Sequence, residues 1–271
     1  MQQQLLGCLC QHSASTGHLA VGKQAHLAIR RLPCLRSVWH IRPAAQIARH
    51  HTQLLCTAAG SSSSEAATAR HTNSATAGQL DLIIGPMFAG KTSALLKRVN
   101  DLEAQGLTVV AIKSAKDTRY HASRLVTHDG QSRECFAASS LAEFKEHQAS
   151  EYRASQAIAI DEAQFFPDLL EFCLEAAERD NKLVVVAGLS GDFRRKRFGE
   201  VLDLVPLVDN VTKLTAGCAF CNQPALFSLR IAADQRQEVV GGADKYAPVC
   251  RHHFNNFQRL RSEQYADAVV E

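Results

Sequence analysis

Acidic side chains are missing from the start of this chain. Residues 1–64 carry Lys23, Arg30, Arg31, Arg36, Arg42 and Arg49 but no aspartate or glutamate. All 27 acids fall in residues 65–271 with the other 24 of the 30 basic residues, so a formal net charge of +3 hides a weakly acidic remainder. Non-specific nucleic-acid binding needs a basic field, so no nucleic-acid partner is expected. Long apolar runs are missing too, and none reaches the length that spans a bilayer, so no membrane partner is expected. Nor is there the continuous apolar stretch of a secretory signal. The nine cysteines are an odd number, four of them scattered through residues 1–64 and two, Cys135 and Cys173, isolated. That excludes a secreted disulfide framework. At 271 residues and 46% hydrophobic, the chain permits one ordinary domain plus extra, or two small ones.

What stands at the start reads as a leader. Residues 1–78 are rich in Ser, Ala, Arg, Gln and His, with Glu65 as their one acid. His26 to Arg49 interleaves Leu, Ile, Val and Trp with arginines, the composition of an amphipathic organellar transit peptide. Ser61 to Gly78 then make a flexible linker. Import into a mitochondrion or a plastid is expected. An untargeted cytoplasmic tail of the same composition is the alternative.

The chemistry begins at Gly85-Pro86-Met87-Phe88-Ala89-Gly90-Lys91-Thr92, a Gly-x4-Gly-Lys-Thr P-loop. It follows the apolar run Leu80 to Ile84 and precedes a helical face of Leu95, Leu96, Val99 and Leu102, which Gly106 should end. Loop amides and a helix N-terminus suit a phosphate chain; Lys91 would reach the outer phosphates, and Thr92 would ligate Mg²⁺. Thr108 to Ile112 reads as a second strand, parallel to the first through a right-handed crossover. The fold class is therefore α/β: a parallel P-loop NTPase sheet with helices on both faces, which Leu183 to Ala187 would extend, while Val211 to Thr215 reads as a strand leading into Cys218. Lys116, Asp117 and Arg119 follow the second strand, where they could meet phosphates or Mg²⁺ or form a solvated turn. Ala157 to Ile160 ends in Asp161-Glu162, a Walker B pattern. Asp161 would hold Mg²⁺, and Glu162 would be free to act as a general base.

Cys218-x2-Cys221 and Cys250-x2-His253 form two knuckles whose four soft ligands can close a tetrahedron around a structural Zn²⁺. His252 competes with His253, at poorer spacing. Between the knuckles, Ala225 to Ile231 and Gln237 to Val240 should pair as a hairpin. Phe254 to Tyr265 reads as a terminal helix.

Taken together, IIGPMFAGKT, IKSAKDTRY, THD, IDEAQFFPDLLEFC, FRRKRFGEVLDLVPL, VTKLTAGCAFC and GGADKYAPVC closely resemble the type II thymidine kinases, over residues 79 to 256. The resemblance implies a P-loop kinase domain (79–215), a small zinc-binding lasso domain (216–256) and a C-terminal tail (257–271). It implies ATP-dependent phosphorylation of the 5′-hydroxyl of deoxythymidine, with Glu162 as base, Lys91 and Arg119 stabilising charge, and Asp117, Thr118 and Arg119 as a second phosphate loop. Met87, Phe165, Leu189 and Phe193 would line the base pocket. Ser228, Gln237, Glu238, Val239, Val240, Gly241 and Tyr246 would cover the nucleoside. A homotetramer inhibited by deoxythymidine triphosphate is implied as well. Ser190 stands where Asp is expected, Asp192 where Thr is, Ser228 where Thr is common, and His253 in place of a fourth Cys. None of these changes touches an implied catalytic role. The rival readings are a helicase-type P-loop ATPase, for which the core is too short, and a zinc-ribbon nucleic-acid module, for which it is too acidic.

Overall fold

The computed structural model describes residues 78–117, 123–127 and 130–267. Residues 1–77, which hold the expected leader up to Gly78, and residues 118–122, 128–129 and 268–271, with Thr118 and Arg119 among them, lie outside the described residues.

The chain enters on β1 (Gln79–Gly85), passes the phosphate-loop motif into α1 (Lys91–Ala104), and returns on β2 (Val109–Ser114). A short antiparallel pair follows, β3 (Arg124–Val126) with β4 (Ser132–Glu134), then β5 (Phe136–Ala138). Helices α2 (Leu141–His147) and α3 (Ala149–Ala154) lead to β6 (Ala157–Asp161). Helix α4 (Leu169–Leu174), extended by a π turn (Glu175–Arg179), precedes β7 (Leu183–Leu189) and β8 (Asn210–Lys213). The last part holds β9 (Ala216–Gly217), β10 (Pro224–Ala225), β11 (Phe227–Arg230), β12 (Tyr246–Val249) and α5 (Arg251–Asp267).

Six strands make one parallel sheet in the order β5-β2-β6-β7-β1-β8. Its central strands are apolar almost without break because both faces are covered. Leu82, Ile84, Ile158, Ile160, Val184 and Val186 point to one side, against Phe144, Tyr152, Leu169 and Phe172 of α2, α3 and α4. Ile83, Ala111, Ala159, Val185 and Ala187 point to the other, against Leu95, Leu96, Val99 and Leu102 of α1. The alanines on that side leave room for α1 to lie close to the sheet. Each buried α1 leucine or valine contributes on the order of 1.5–3 kcal/mol, and together they hold the helix N-terminus at the strand ends. Gly106 ends α1 in the left-handed region at φ 86°.

Helices on both faces agree with the expected fold. Strands β3, β4 and β5 carry no strong apolar alternation and were not anticipated. The expected hairpin is corrected. Strand β11 pairs antiparallel with β12, Ser228 opposite Pro248 and Arg230 opposite Tyr246, while Gln237 to Val240 lie in an irregular segment. Among the described residues, no helix is long and apolar enough to cross a membrane.

Candidate active site

The C-terminal ends of β1, β2, β6 and β7 open onto a cleft of about 650 Å³. Open parallel sheets place ligands at that edge. The turn from β1 into α1 forms one wall. Gly90 takes φ 77°, which a side chain resists, and a Cβ on Gly85 would come within 2.9 Å of the Leu214 carbonyl. Both glycines are therefore needed for the loop's path. Met87, Phe88, Ala89, Gly90, Lys91 and Thr92 line the cleft. Lys91 is buried, and its Nζ donates to the Pro86 carbonyl at 2.9 Å. That bond keeps the ammonium folded against the loop it would serve.

At the far wall, Asp161 ends β6. The Thr92 hydroxyl donates to Asp161 Oδ2 at 2.7 Å, so the two expected Mg²⁺-holding groups, 69 residues apart in sequence, meet. Burial, reinforced by the adjacent Glu162 carboxylate, pushes the Asp161 carboxyl above its ordinary range, against the opposing Thr92 hydroxyl. A buried carboxylate in that condition gains from a hard cation, and a hydroxyl with a carboxylate is an oxygen donor set suited to Mg²⁺. Glu162 follows in the left-handed region at φ 50°, uncommon for a residue with a side chain, and it lines the cleft. Asp117 lines the cleft as well. Thr118 and Arg119 belong to the undescribed residues.

The implied nucleoside-covering residues converge on the same space. Met87, Phe165, Leu189, Phe193, Ser228, Gln237, Val239, Val240, Gly241 and Tyr246 all line it. Ser228 also reaches the phosphate loop, its Oγ accepting from the Met87 amide at 2.9 Å. Glu238 stands apart: its carboxylate pairs with Lys116 at 3.0 Å, with both side chains substantially exposed.

Below the cleft, Cys218, Cys221, Cys250 and His253 bring one ligand atom each within 4.8 Å of one another. A zinc tetrahedron with bonds of about 2.3 Å to sulfur and 2.0–2.1 Å to nitrogen has edges of about 3.8 Å (S···S) and 3.6 Å (S···N). Cys221 and Cys250 sulfurs lie 3.8 Å apart, and His253 Nδ1 lies 3.6 Å from the sulfurs of Cys218 and Cys221 and 3.1 Å from that of Cys250. The four residues fit the ion. Burial, together with the nearby Cys218 sulfur, pushes the Cys221 thiol up to about 11, a shift that a bound cation would reverse. His253, not His252, faces the sulfurs.

A family profile described as Thymidine kinase matches residues 78–254, a span that takes in the cleft and the cysteine cluster. The chain belongs to the thymidine kinase family. It is 52% identical over 179 residues to "Thymidine kinase" of Oryza sativa subsp. japonica, covering 65% of this chain and 66% of that protein. It is 49% identical over 178 residues to "Thymidine kinase a" of Arabidopsis thaliana, covering 65% and 75%. It is 46% identical over 178 residues to "Thymidine kinase, cytosolic" of Homo sapiens, covering 66% and 74%.

For this member of the thymidine kinase family, three residues with no role in the sequence reading stand at the site. Gln164 is buried; its Nε2 donates to Glu162 Oε2 at 2.5 Å, and its Oε1 accepts from the Leu189 amide at 3.1 Å. It ties Glu162 to the end of β7. Lys113 is 2% exposed on β2, in register with Asp161, and lines the cleft. Arg230 is 1% exposed on β11 and also lines it. Asp192 gains a contact that the sequence did not suggest. Its Oδ1 accepts from the Arg194 and Lys196 amides at 2.8 Å, and its Oδ2 accepts from Gln237 Nε2 at 3.0 Å. A carboxylate at this position thus caps its own turn and holds the covering segment.

Proposed function

We propose that this chain transfers the γ-phosphoryl group of ATP to the 5′-hydroxyl of deoxythymidine, giving the monophosphate and ADP. The carrying observation is the Thr92–Asp161 contact at 2.7 Å in a cleft that Glu162 and Val239 to Gly241 also line. Family membership and the names of the plant and human relatives support the same reading.

Phosphoryl transfer asks for positioning and charge neutralisation more than covalent chemistry. The loop amides from Gly85 to Thr92 hold the ATP phosphates, with Lys91 neutralising the outer ones. Thr92 and Asp161 would hold Mg²⁺, which supplies further positive charge to the phosphates when bound. Asp117, with Thr118 and Arg119 beyond the described residues, forms the second phosphate loop; Arg119 adds charge there. Met87, Phe165, Leu189 and Phe193 enclose the base, and main-chain groups of Val239 to Gly241 bind its polar edge. Glu162 accepts the proton of the 5′-hydroxyl as its oxygen attacks the γ-phosphorus. Cys218, Cys221, Cys250 and His253 would hold Zn²⁺ as a closed, structural site.

The division at 79–215, 216–256 and 257–271 follows this assignment of roles. We further infer a homotetramer with feedback inhibition by deoxythymidine triphosphate. The outer sheet edge supports association: β8 is exposed along its length, and Val205, Leu207 and Val211 stand in solvent there. Incubating purified protein with ATP, Mg²⁺ and deoxythymidine should yield deoxythymidine monophosphate. ATP hydrolysis without a phosphorylated nucleoside would overturn the assignment.

Residues 1–78 are proposed to direct import into a mitochondrion or plastid. Residues 1–70 fused to a fluorescent protein should concentrate in an organelle. A purely cytosolic signal would refute the leader.

A further inference from the structure

The segment 231–245, between β11 and β12, has no regular secondary structure, yet it contributes Gln237 and Val239 to Gly242 to the cleft. Such a segment needs side chains to satisfy its carbonyls. One side chain satisfies three of them. From Nη1, Arg230 donates to the carbonyls of Asp234, at 3.3 Å, and Arg236. From Nη2 it donates to the Gln237 carbonyl at 2.9 Å and to the Tyr246 hydroxyl at 2.5 Å. Tyr246 relays the contact, its hydroxyl donating to the Val239 carbonyl at 2.8 Å. The guanidinium carbon also lies 3.8 Å from the centroid of the Phe193 ring and 5.0 Å from that of Tyr246. One planar cation therefore joins a pocket-lining aromatic to the main chain of the covering segment.

Stability is a poor reason for this arrangement. All four hydrogen-bond acceptors are neutral oxygens. The buried Nε has no hydrogen-bond partner among the described residues. Burying a guanidinium with no carboxylate in hydrogen-bond contact, Asp234 acting on it only through its charge, and with an unmet N–H, is unfavourable compared with an apolar side chain of similar volume. Local rules are broken in this way where function needs a fixed geometry. Among the segment's other side-chain ties, Lys116–Glu238 is exposed and contributes little, while Gln237 with Asp192 and Lys245 with the Val240 carbonyl each add one partly buried contact; none of these donors reaches three of the segment's carbonyls as Arg230 does.

We propose that Arg230 is the positioning residue of the covering segment. It sets the placement of the Val239–Gly242 main chain, and so the affinity for the nucleoside, without taking part in phosphoryl transfer. The affinity half of this inference rests on the nucleoside-kinase reading; the ordering half does not.

Arg230→Met, made in the full-length chain, keeps most of the volume and removes every donor. Amide exchange across 237–242 should quicken at least about tenfold, with β1 and β7 unchanged. The KM for deoxythymidine should rise by about ten- to a hundredfold, the loss of one or two charge-assisted hydrogen bonds. The KM for ATP and kcat should each stay within about threefold, since uniform binding is what is removed. Arg230→Lys should recover part of the nucleoside KM, because an ammonium donates but cannot fork across three carbonyls. Unchanged exchange together with an unchanged nucleoside KM would overturn the proposal, as would a fall in kcat with KM untouched. If Arg230→Met fails to fold, Tyr246→Phe removes the relay to Val239 and one acceptor of Arg230 while leaving the guanidinium's three carbonyl contacts. It should raise the nucleoside KM about threefold or more, and no rise would overturn the relay and the proposal with it. If the wild type shows no turnover of deoxythymidine, the kinase reading fails separately, and the exchange measurement alone decides Arg230.

Discussion

Glu162→Gln should lower turnover by about 10²–10⁴, the range for removing a positioned general base, while ATP affinity stays within about threefold. The substitution is conservative in shape. Gln164 Nε2 donates to Glu162 Oε2, and an amide oxygen at that position can accept the same bond. The backbone at residue 162 is left-handed at φ 50° and tied through its amide to Asp161 Oδ1 at 2.9 Å, so the loop should keep its path. What the amide cannot do is take a proton from a hydroxyl. Its effect on Asp161 follows from charge. The Glu162 carboxylate helps push the Asp161 carboxyl upward, so neutralising residue 162 lets that carboxyl fall back towards its ordinary range. Asp161 is then ionised over a wider pH range, and Mg²⁺–ATP binding is preserved or improved. Steady-state kinetics with a separate ATP titration would measure both effects. Near-normal turnover would falsify the base assignment. A parallel loss of ATP affinity would instead make Glu162 a ligand of the metal or the phosphates.

The parts of this site that could be read from sequence are those in which one local pattern carries both structure and chemistry. An apolar strand running into Gly-x4-Gly-Lys-Thr specifies a turn, a helix start and a phosphate cradle at once. Ala157 to Asp161 and the two cysteine knuckles are similar, and Thr92 and Asp161 are found in contact. The hairpin failed for a physical reason. Gln237 to Val240 has β-branched character, whereas the true partner strand, Tyr246 to Val249, contains Pro248, which reads as a strand breaker. A two-stranded ribbon has a free edge on each strand and tolerates the missing donor. Arg230, Lys113 and Gln164 were invisible for a different reason. A polar residue in a short strand, as Lys113 and Arg230 are, or in a turn after one, as Gln164 is, reads as solvent-facing, and only the packed fold shows it buried. The left-handed backbone of Glu162 has no sequence signature at all.

Stripping zinc should disable the enzyme without unfolding the sheet. The module from Ala216 onward has a small core of its own: Ala216, Ala225, Leu229, Val249 and Phe254 with the cysteines. A unit of roughly 40 residues cannot bury enough apolar surface to hold itself together, whereas a structural zinc site contributes about 10–16 kcal/mol of apparent binding energy. The four residues that could hold the metal sit at both ends of this unit. Cys250 directly follows β12, and the Cys250 amide donates to Cys218 Sγ at 3.3 Å. Loosening that junction releases the β11–β12 ribbon. The ribbon carries Ser228, which accepts from the Met87 amide of the phosphate loop, and Arg230 with Tyr246, which hold the covering segment. Displacements of about 1 Å at such contacts can cost a hundredfold in rate. Purified protein should therefore contain about one zinc per chain. Chelation, or Cys250→Ser, should lower turnover with deoxythymidine by about a hundredfold or more. ATP affinity should fall far less, because Lys91, Thr92 and Asp161 are held by β1, α1 and β6, whose side chains pack in the two sheet-face clusters and not in the cluster of Cys218 and Cys250. Amide exchange would separate the two regions, with protection lost across β11 and β12 and kept across β1 and β7. Full turnover in metal-free protein would show that the four ligands are not needed to hold the cover in place.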